Sequence, residues 1–270
     1  MADARPIGMF DSGVGGLTVA QAVMEKLPRE SVVYVGDNAR FPYGPKPVEE
    51  IRRYALEIAE YLAGRGVKMI VVACNSVEVS AIDDIAAQAG IPVVGVIDPG
   101  TRAAVAATRN GVIGLIGTEA TVASKAYDRA VAATGAKVNL HSQACPLFVE
   151  FVERGETSGN DLRTIAREYL EPLREADVDS LILGCTHYPL ISRAIGEVMG
   201  PDVVLVSSAT ETANDVASIL AGGPSEGSAS REFLCTGDPE QFREIGGLFL
   251  GPEIGNVEIA RLSPVGGDRR

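Results

Sequence analysis

Short apolar runs alternate with amphipathic stretches along most of this 270-residue chain, and this alternation constrains the fold more than any other feature. Two predicted strands, Met69–Ala73 and Ser180–Leu183, are apolar over nearly their whole length, which is typical of strands covered on both faces. The stretch from Ile51 to Leu62 instead repeats apolar residues at helical spacing. Alternating strands and helices predict an α/β fold with mostly parallel sheets flanked by helices.

The pattern also predicts a weak internal duplication. The segment Ile7–Ser12 resembles Ile113–Thr118, and the segments around Cys74 and Cys185 are separated by nearly the same interval. The similar order and spacing predict two related α/β halves. The remaining strands are predicted at Ile7–Phe10, Val32–Val35, Val93–Ile97, Val112–Ile116, Val203–Val206 and Arg231–Cys235.

Charge and hydropathy exclude several classes of protein. The net charge is −12, which argues against nucleic acid or an anionic membrane as the main partner, since both require a basic surface. No apolar run approaches the roughly 20 residues that a membrane-spanning helix needs, and the first residues lack the apolar region of a signal peptide. We therefore expect a cytoplasmic protein with no membrane span.

The four cysteines fall into two groups. Cys74 and Cys185 each follow a predicted strand at a point where a helix should begin, and a helix N-terminus lowers the pKa of a thiol. Cys145 and Cys235 lack this setting, and we expect both to be structural. Because there is no Cys-x-x-Cys pair and there are only two histidines, we expect neither disulfides nor a metal site.

Two thiols at matching points of two related halves predict a site with one thiol on each side of a substrate. A reaction that inverts a carbon centre needs that arrangement. The Cys-x5-Arg loop of a phosphatase is excluded, because residues 80 and 191 are Ser and Ile. A Cys-His hydrolase stays open, since His187 follows Cys185 by two residues, but it would leave Cys74 without a role.

The glycine-rich segment Asp11–Gly16 lies between a predicted strand and a predicted helix. Its backbone N–H groups could hold a carboxylate or phosphate, or the segment could be a tight turn with Asp11 or Ser12 as the helix cap. It is not a phosphate loop of the Gly-Lys-Ser/Thr type, and Thr18 stands where a dinucleotide-binding fingerprint has its third glycine. The polar segment Gly36–Gly44 is either a pocket wall or an ordinary loop.

Four motifs together resemble the glutamate racemase family of the cofactor-independent aspartate/glutamate racemase superfamily, and the resemblance extends over roughly residues 7 to 250. They are Asp11–Gly16, Pro42–Gly44, Cys74–Ser76 and Gly184–Pro189. The resemblance implies two pseudo-symmetric α/β domains with the active site in the cleft between them. We assign residues 1–97 plus 208–264 to the first domain, 98–207 to the second and 265–270 to a tail.

The same resemblance implies roles for individual residues. Cys74 and Cys185 would be the two catalytic bases, with Asp11 and His187 as their polar neighbours, and Glu153 would be a possible helper. The residues implied to contact the substrate are Asp11, Ser12, Pro42, Tyr43, Gly44, Asn75, Ser76, Thr186 and His187.

The activity implied by the resemblance is the conversion of L-glutamate to D-glutamate, without pyridoxal phosphate or another cofactor, in a cytoplasmic homodimer that supplies peptidoglycan synthesis. Two alternatives remain at this point. One is a racemase for aspartate or another acidic amino acid, and the other is a catalytically weakened relative that binds an amino acid.

Three residues depart from the family pattern. Val77 and Glu78 stand where an alanine and a small polar residue are usual, and Asn38 replaces a threonine. Val77 is expected to narrow the pocket. Glu78 is expected either to point away along its helix or to add negative charge near the Cys74 thiolate.

We also expect Ala221–Ser230 to be a surface loop, since it is polar and glycine-rich, and Pro264–Arg270 to be disordered.

Overall fold

The computed structural model describes residues 3–220 and 229–263. Most of the loop Ala221–Ser230 and the whole tail from Pro264 lie outside these residues, so both expectations stay predictions.

All strand pairs among the described residues are parallel, and they form two sheets. The first sheet has six strands in the order β10-β9-β2-β1-β3-β4, and the second has four in the order β6-β5-β7-β8. The strands are β1 (Ile7–Asp11), β2 (Val32–Gly36), β3 (Met69–Val72), β4 (Val93–Val94), β5 (Val112–Gly117), β6 (Asn139–Ala144), β7 (Ser180–Gly184), β8 (Val204–Val206), β9 (Arg231–Cys235) and β10 (Val257–Ile259).

The two sheets share a topology, which confirms the predicted pair of pseudo-symmetric α/β halves. The order β2-β1-β3-β4 in the first sheet corresponds strand by strand to β6-β5-β7-β8 in the second. Strand β1 therefore matches β5, and β3 matches β7. Because Cys74 follows β3 and Cys185 follows β7, the two thiols occupy equivalent places in the two halves.

Helices cover both sheets. Helix α2 shows why the pattern folds this way: Ile51, Ala55, Ile58 and Leu62 lie on one face and all are fully buried. The helices are α1 (Leu17–Lys26), α2 (Val48–Gly64), α3 (Asn75–Ala89), α4 (Ile97–Ala107), α5 (Glu119–Ala123), α6 (Ala126–Thr134), α7 (Leu147–Glu153), α8 (Asn160–Glu175), α9 (Ser192–Met199), α10 (Ala209–Ile219) and α11 (Pro239–Leu250). Short 3₁₀ turns follow at Tyr188–Ile191 and Gly251–Ile254.

The core is not divided cleanly between the halves. One cluster of buried residues extends from Met9 and Leu17 in the first half to Phe148 and Leu181 in the second. A smaller cluster lies under α2 and α3, and another packs around Ile182 in the second sheet. The shared cluster holds the two halves against each other and so fixes the gap in which a site can form.

Three details of the sequence prediction were wrong. The strand predicted at Val93–Ile97 ends at Val94, and residue Ile97 already begins α4. Strands β6 and β10 were missed because both lie at sheet edges and β6 carries Asn, His, Ser and Gln rather than an apolar run.

The chain crosses between the halves twice, once through α4 after β4 and again through α10 after β8. Among the residues that the structure describes, no helix combines the length and the apolar character needed to cross a bilayer.

Candidate active site

A cavity of about 160 Å³ lies where the carboxyl ends of β1, β3, β5 and β7 face one another. In parallel α/β sheets, ligands bind at this end of the strands. The cavity is lined from both halves by Ser12, Phe41, Pro42, Tyr43, Gly44, Pro45, Cys74, Asn75, Ser76, Thr118, Glu119, Pro146, Val149, Glu150, Gly184, Cys185, Thr186 and His187.

Most of the residues predicted from the sequence meet in this cavity. Both cysteines line it, together with Ser12, Pro42, Tyr43, Gly44, Asn75, Ser76, Thr186 and His187. The two others, Asp11 and Glu153, are not part of the lining. Asp11 lies behind the lining beside Cys74, and Glu153 contacts His187. Their functional roles stay predictions.

Cys74 lies at the junction of β3 and α3 and is 5% exposed. Burial raises the pKa of its thiol well above the usual value, and the nearby Asp11 carboxylate raises it further. Two contacts act in the opposite direction: the Ser12 hydroxyl, whose Oγ lies 3.6 Å from Cys74 Sγ, and the backbone N–H of Val77. The pKa of Cys74 stays raised overall, so Cys74 is a neutral thiol at neutral pH.

Cys185 has a different set of neighbours. Its Sγ lies 3.7 Å from His187 Nδ1, and His187 Nε2 lies 2.7 Å from Glu153 Oε1. Burial lowers the pKa of His187, but its bonds to Cys185 and Glu153 outweigh burial and raise that pKa to about 10. The raised pKa favours the protonated form of His187 beside Cys185 at neutral pH.

Hydroxyl and amide groups line the cavity between the two thiols. Asn75 Oδ1 accepts a hydrogen bond from the Tyr127 hydroxyl at 2.7 Å, across the two halves. Because that bond uses Oδ1, the amide nitrogen of Asn75 points away from Tyr127. Asn75 lines the cavity, so this nitrogen can donate to a ligand there. Ser76 Oγ lies 3.0 Å from Thr118 Oγ1, which gives a second contact between the halves.

The glycine-rich segment is both a turn and part of the site. Asp11 Oδ2 accepts the N–H of Gly16 at 2.8 Å and so stabilises the expected turn. The expectation that Asp11 or Ser12 caps the helix was wrong, because the N-cap of α1 is Gly16 and no side chain caps it. Its other oxygen, Oδ1, is buried without a hydrogen-bond partner. A Cβ at Gly15 would lie 2.6 Å from His187 Nδ1, so glycine here lets the first half approach the second closely.

A network of charged side chains fixes the Tyr43 wall of the cavity. The fully buried Asp37 accepts hydrogen bonds from Tyr43 and, at 2.6 Å, from Thr236. Arg40 donates to the same carboxylate at 2.7 Å. Asn38, one of the departures from the family pattern, accepts the N–H of Gly237 at 2.7 Å and so helps to tie this loop to β9. The segment is therefore a braced pocket wall rather than an ordinary loop.

Thr118 is the clearest site residue that the sequence prediction missed. Its Oγ1 contacts Ser76 and accepts the N–H of Thr121 at 3.2 Å, as the cap of α5. A signal was present, because Thr118 holds the place in Ile113–Thr118 that Ser12 holds in Ile7–Ser12. The duplication, applied residue by residue, would have found it. Glu119, Pro146, Val149 and Glu150 carried no comparable signal.

The other residues singled out in the sequence lie away from the cavity lining. Cys145 and Cys235 are fully buried free thiols in the largest core cluster. Val77 is fully buried in the cluster under α3 and does not line the cavity. Glu78 points away from the cavity and bonds to the start of α4. Glu78 therefore points away along its helix, the first of the two outcomes expected, and does not add charge beside Cys74.

The arrangement suits proton transfer at a carbon held between two thiols. Hydroxyl and amide groups on its walls can donate to carboxylate oxygens, and Glu119 and Glu150 also belong to the lining. The thiols come from equivalent strand ends of opposite halves. Across residues 3–220 and 229–263, no group of three or more His, Cys, Asp or Glu side chains is placed to hold a metal ion.

Comparisons with known proteins agree with this geometry. The model of the Asp/Glu/Hydantoin racemase family matches residues 17–216. A glutamate racemase from Parafrankia sp. is 54% identical over 260 residues, which is 94% of each chain.

Solved structures give the same result. A glutamate racemase from Francisella tularensis, in complex with D-glutamate, superposes with a TM-score of 0.89 at 35% identity, covering 96% of this chain and 98% of that one. The glutamate racemase from Thermus thermophilus, in complex with β-chloro-D-alanine, superposes with a TM-score of 0.85 at 44% identity and the same coverage.

Proposed function

The chain belongs to the Asp/Glu/Hydantoin racemase family, and we propose that it interconverts L- and D-glutamate with two cysteines, one of which removes the Cα proton while the other supplies a new one. The observation that carries the proposal is the placement of Cys74 and Cys185 on one cavity, at equivalent strand ends of opposite halves. The similarity to glutamate racemases supports glutamate as the substrate.

The chemical step transfers two protons, one from Cα and one to it, and changes no oxidation state. A thiolate on one face takes the proton from Cα, and the electron pair of that C–H bond spreads into the α-carboxylate. The thiol on the opposite face then gives its proton to Cα, which inverts the centre and leaves a thiolate there. A free thiol has a pKa of about 8.5. Such a group can act as acid or base near neutrality, but the raised pKa of Cys74 makes its thiolate costly to form, and its contacts with Ser12 and the Val77 backbone reduce that cost.

Stabilisation of the carbanion comes from donors already in place. Asn75, Ser76, Thr118 and Thr186 line the cavity and present amide or hydroxyl groups that can hold carboxylate oxygens. Because these groups are fixed by contacts such as Tyr127–Asn75, little reorganisation is needed as charge develops. Preorganised donors of this kind usually supply the largest share of a rate enhancement.

The two thiols are unlike in the free enzyme. Cys74 is held neutral by burial and by Asp11, whereas Cys185 lies against an imidazolium that Glu153 stabilises. We infer that the neutral Cys74 thiol acts first as the proton donor, with Cys185 as the base. That division of roles suits the enantiomer whose Cα–H faces Cys185, and the opposite enantiomer requires the two roles to be reversed.

The test uses the variants Cys74→Ser and Cys185→Ser in deuterated water. Steady-state kcat/KM cannot separate the two thiols, because enantiomers have equal free energy and the two directions must have equal kcat/KM. Exchange of the Cα proton, followed by NMR from each enantiomer, does separate them. Each variant should exchange only the enantiomer that faces its remaining cysteine, and the two variants should be complementary.

Two results would contradict the two-thiol step. One is racemisation retained by both single variants, and the other is full dependence on one cysteine with none on the other. Parallel assays with L-aspartate, read by circular dichroism, measure the substrate preference. Turnover of aspartate at a higher kcat/KM than glutamate would overturn the choice of substrate.

The wider role forms part of the same proposal. We infer that the two thiols act without pyridoxal phosphate, in the cytoplasm, in a homodimer whose product supplies peptidoglycan synthesis. Expression of the gene should rescue growth of a bacterium that requires D-glutamate, and the Cys74→Ser variant should fail to do so. Light scattering of the purified enzyme measures its oligomeric state.

A further inference from the structure

Glu78 links the helix that carries Cys74 to the helix that enters the second half. It lies in the first turn of α3, and its N–H donates to the carbonyl of Cys74 at 2.9 Å. Its side chain turns away from the cavity, and Oε2 accepts the N–H groups of Val96 at 2.5 Å and of Ile97 at 3.0 Å. One oxygen therefore holds two donors at the start of α4.

The start of α4 is built to receive this carboxyl group. The N-cap residue Val96 has no side chain that can accept a hydrogen bond, so Glu78 supplies the cap from another element. A Cβ at Gly95 would collide with the Glu78 carboxyl group, so the glycine leaves the space that the side chain fills. The contact therefore depends on two residues from different segments.

Helix α4 carries the connection on to the second thiol. It packs against β7, the strand that ends immediately before Cys185. Ser180, at the start of β7, donates a hydrogen bond from its hydroxyl to the carbonyl of Ala104 in α4 at 3.2 Å. A continuous series of bonded and packed groups thus joins Cys74 to Cys185 through Glu78 and α4.

We propose that Glu78 is a positioning residue that sets the gap between Cys74 and Cys185 by capping α4. The inference rests on the proposed two-thiol function, but its mechanical part concerns only the distance between two side chains. Proton transfer is sensitive to such distances, because a misplacement of about 1 Å can cost up to about 10²-fold in rate.

The charges around Glu78 are compatible with this role. Asp98, in the first turn of α4, is the acidic group whose charge acts on it. Arg102 and Asp215 line the same recess but bond to each other at 2.6 Å, so their charges largely cancel. Burial is the main cause that raises the pKa of Glu78, to about 8. A neutral hydrogen-bond acceptor should therefore replace the Glu78 carboxyl group without loss of the cap on α4.

The experiment compares Glu78→Ala and Glu78→Gln with the exposed control Asp83→Ala on the same helix. Hydrogen exchange at the amides of Val96 and Ile97 reports the cap. Steady-state kinetics in both directions report kcat and KM. Bridging of Cys74 to Cys185 by 1,3-dichloroacetone, followed by mass spectrometry of the peptides, reports the gap between the thiols without requiring activity.

We expect Glu78→Ala to expose both amides, to slow the bridging reaction and to lower kcat about tenfold in both directions with KM within about twofold. Glu78→Gln keeps an acceptor oxygen and should restore all three readouts, and Asp83→Ala should match the wild type. If Glu78→Ala does not fold, Glu78→Asp replaces it, because a side chain one methylene shorter cannot reach both amides.

The proposal is overturned if the amides lose protection while bridging and kcat stay at wild-type values, or if their protection does not change at all. Failure of the proposed function gives a different result. In that case the wild-type enzyme does not racemise glutamate, while the exchange and bridging experiments still test the role of Glu78.

Discussion

The ion pair between His187 and Glu153 gives a quantitative prediction. Glu153→Gln keeps the size of the side chain and a hydrogen-bond acceptor but removes its charge. The bond is 2.7 Å long, and the two side chains are only 3% and 22% exposed, so solvent screens it weakly. A hydrogen bond to a charged group contributes about 1.5–3 kcal/mol and a neutral one about 1 kcal/mol. The variant should lose about 1.4 kcal/mol, which is one pKa unit.

We therefore expect the pKa of His187 to fall from about 10 to about 9 in Glu153→Gln. The chain has only two histidines, so NMR of the ring Cε1–H groups follows each of them through a pH titration. A His141→Gln variant assigns the two signals. Glu156→Gln serves as the control, since Glu156 pairs with Arg154 and not with His187.

The same change has a signature in stability. Folding raises the pKa of His187 from 6.5 to about 10, so its stabilisation is complete below pH 6.5 and is lost as the pH rises through about 10. Glu153→Gln should be less stable than the wild type by about 1.4 kcal/mol below pH 9, and the two should converge above pH 10. A His187 pKa that stays in place, or a stability difference that grows with pH, would refute the ion pair.

Three further predictions concern groups outside the thiols. We expect Tyr127→Phe to lower kcat for glutamate about fivefold with KM nearly unchanged, because a lost hydrogen bond of about 1 kcal/mol frees the Asn75 amide that stabilises the developing charge. Thr118→Val removes both the cap of α5 and the contact with Ser76, and it should lower the free energy of unfolding by about 1–2 kcal/mol in urea titrations. For Glu78→Gln, the melting temperature should rise relative to the wild type between about pH 4.5 and pH 8. The reason is that an acid with a raised pKa loses its stabilisation over that window.

Each of these predictions has an outcome that contradicts it. For Tyr127→Phe it is a rise in KM at constant kcat, since the orientation of the Asn75 amide is argued to matter as charge develops on the carbanion. For Thr118→Val it is an unfolding free energy equal to that of the wild type. For Glu78→Gln it is a constant difference in melting temperature at every pH, which would show that Glu78 does not titrate in this window.

Much of the fold was predictable because the strands are apolar and the helices are amphipathic. The run Met69–Val72 and the buried stripe of α2 are signals that depend only on local sequence. The edge strand β6 was missed because four of its six residues are polar, and a strand at an edge needs no continuous apolar run. The likeness of Ile7–Ser12 to Ile113–Thr118 predicted the shared topology, because strands at equivalent positions in two sheets are buried in the same way and so favour similar residues.

The site was predictable where chemistry restricts the choice of residue. The two cysteines and His187 stand out because few side chains exchange a proton near neutral pH. Tyr127 was not predictable, since it meets Asn75 only when the two halves come together. The cap that Glu78 provides for α4 was also not predictable, because its partners are backbone N–H groups, which carry no sequence signature.

The two sheets differ in how much of the chain must exist before each can form. All four strands of the second sheet lie between Val112 and Val206. The first sheet pairs Val32 with Arg231, so it is complete only when the C-terminal strands are available. During synthesis from the N-terminus, the second half can therefore fold before the first. A ribosome-bound chain that stops before Arg231 would leave the edge of β2 unpaired, and such an edge invites aggregation.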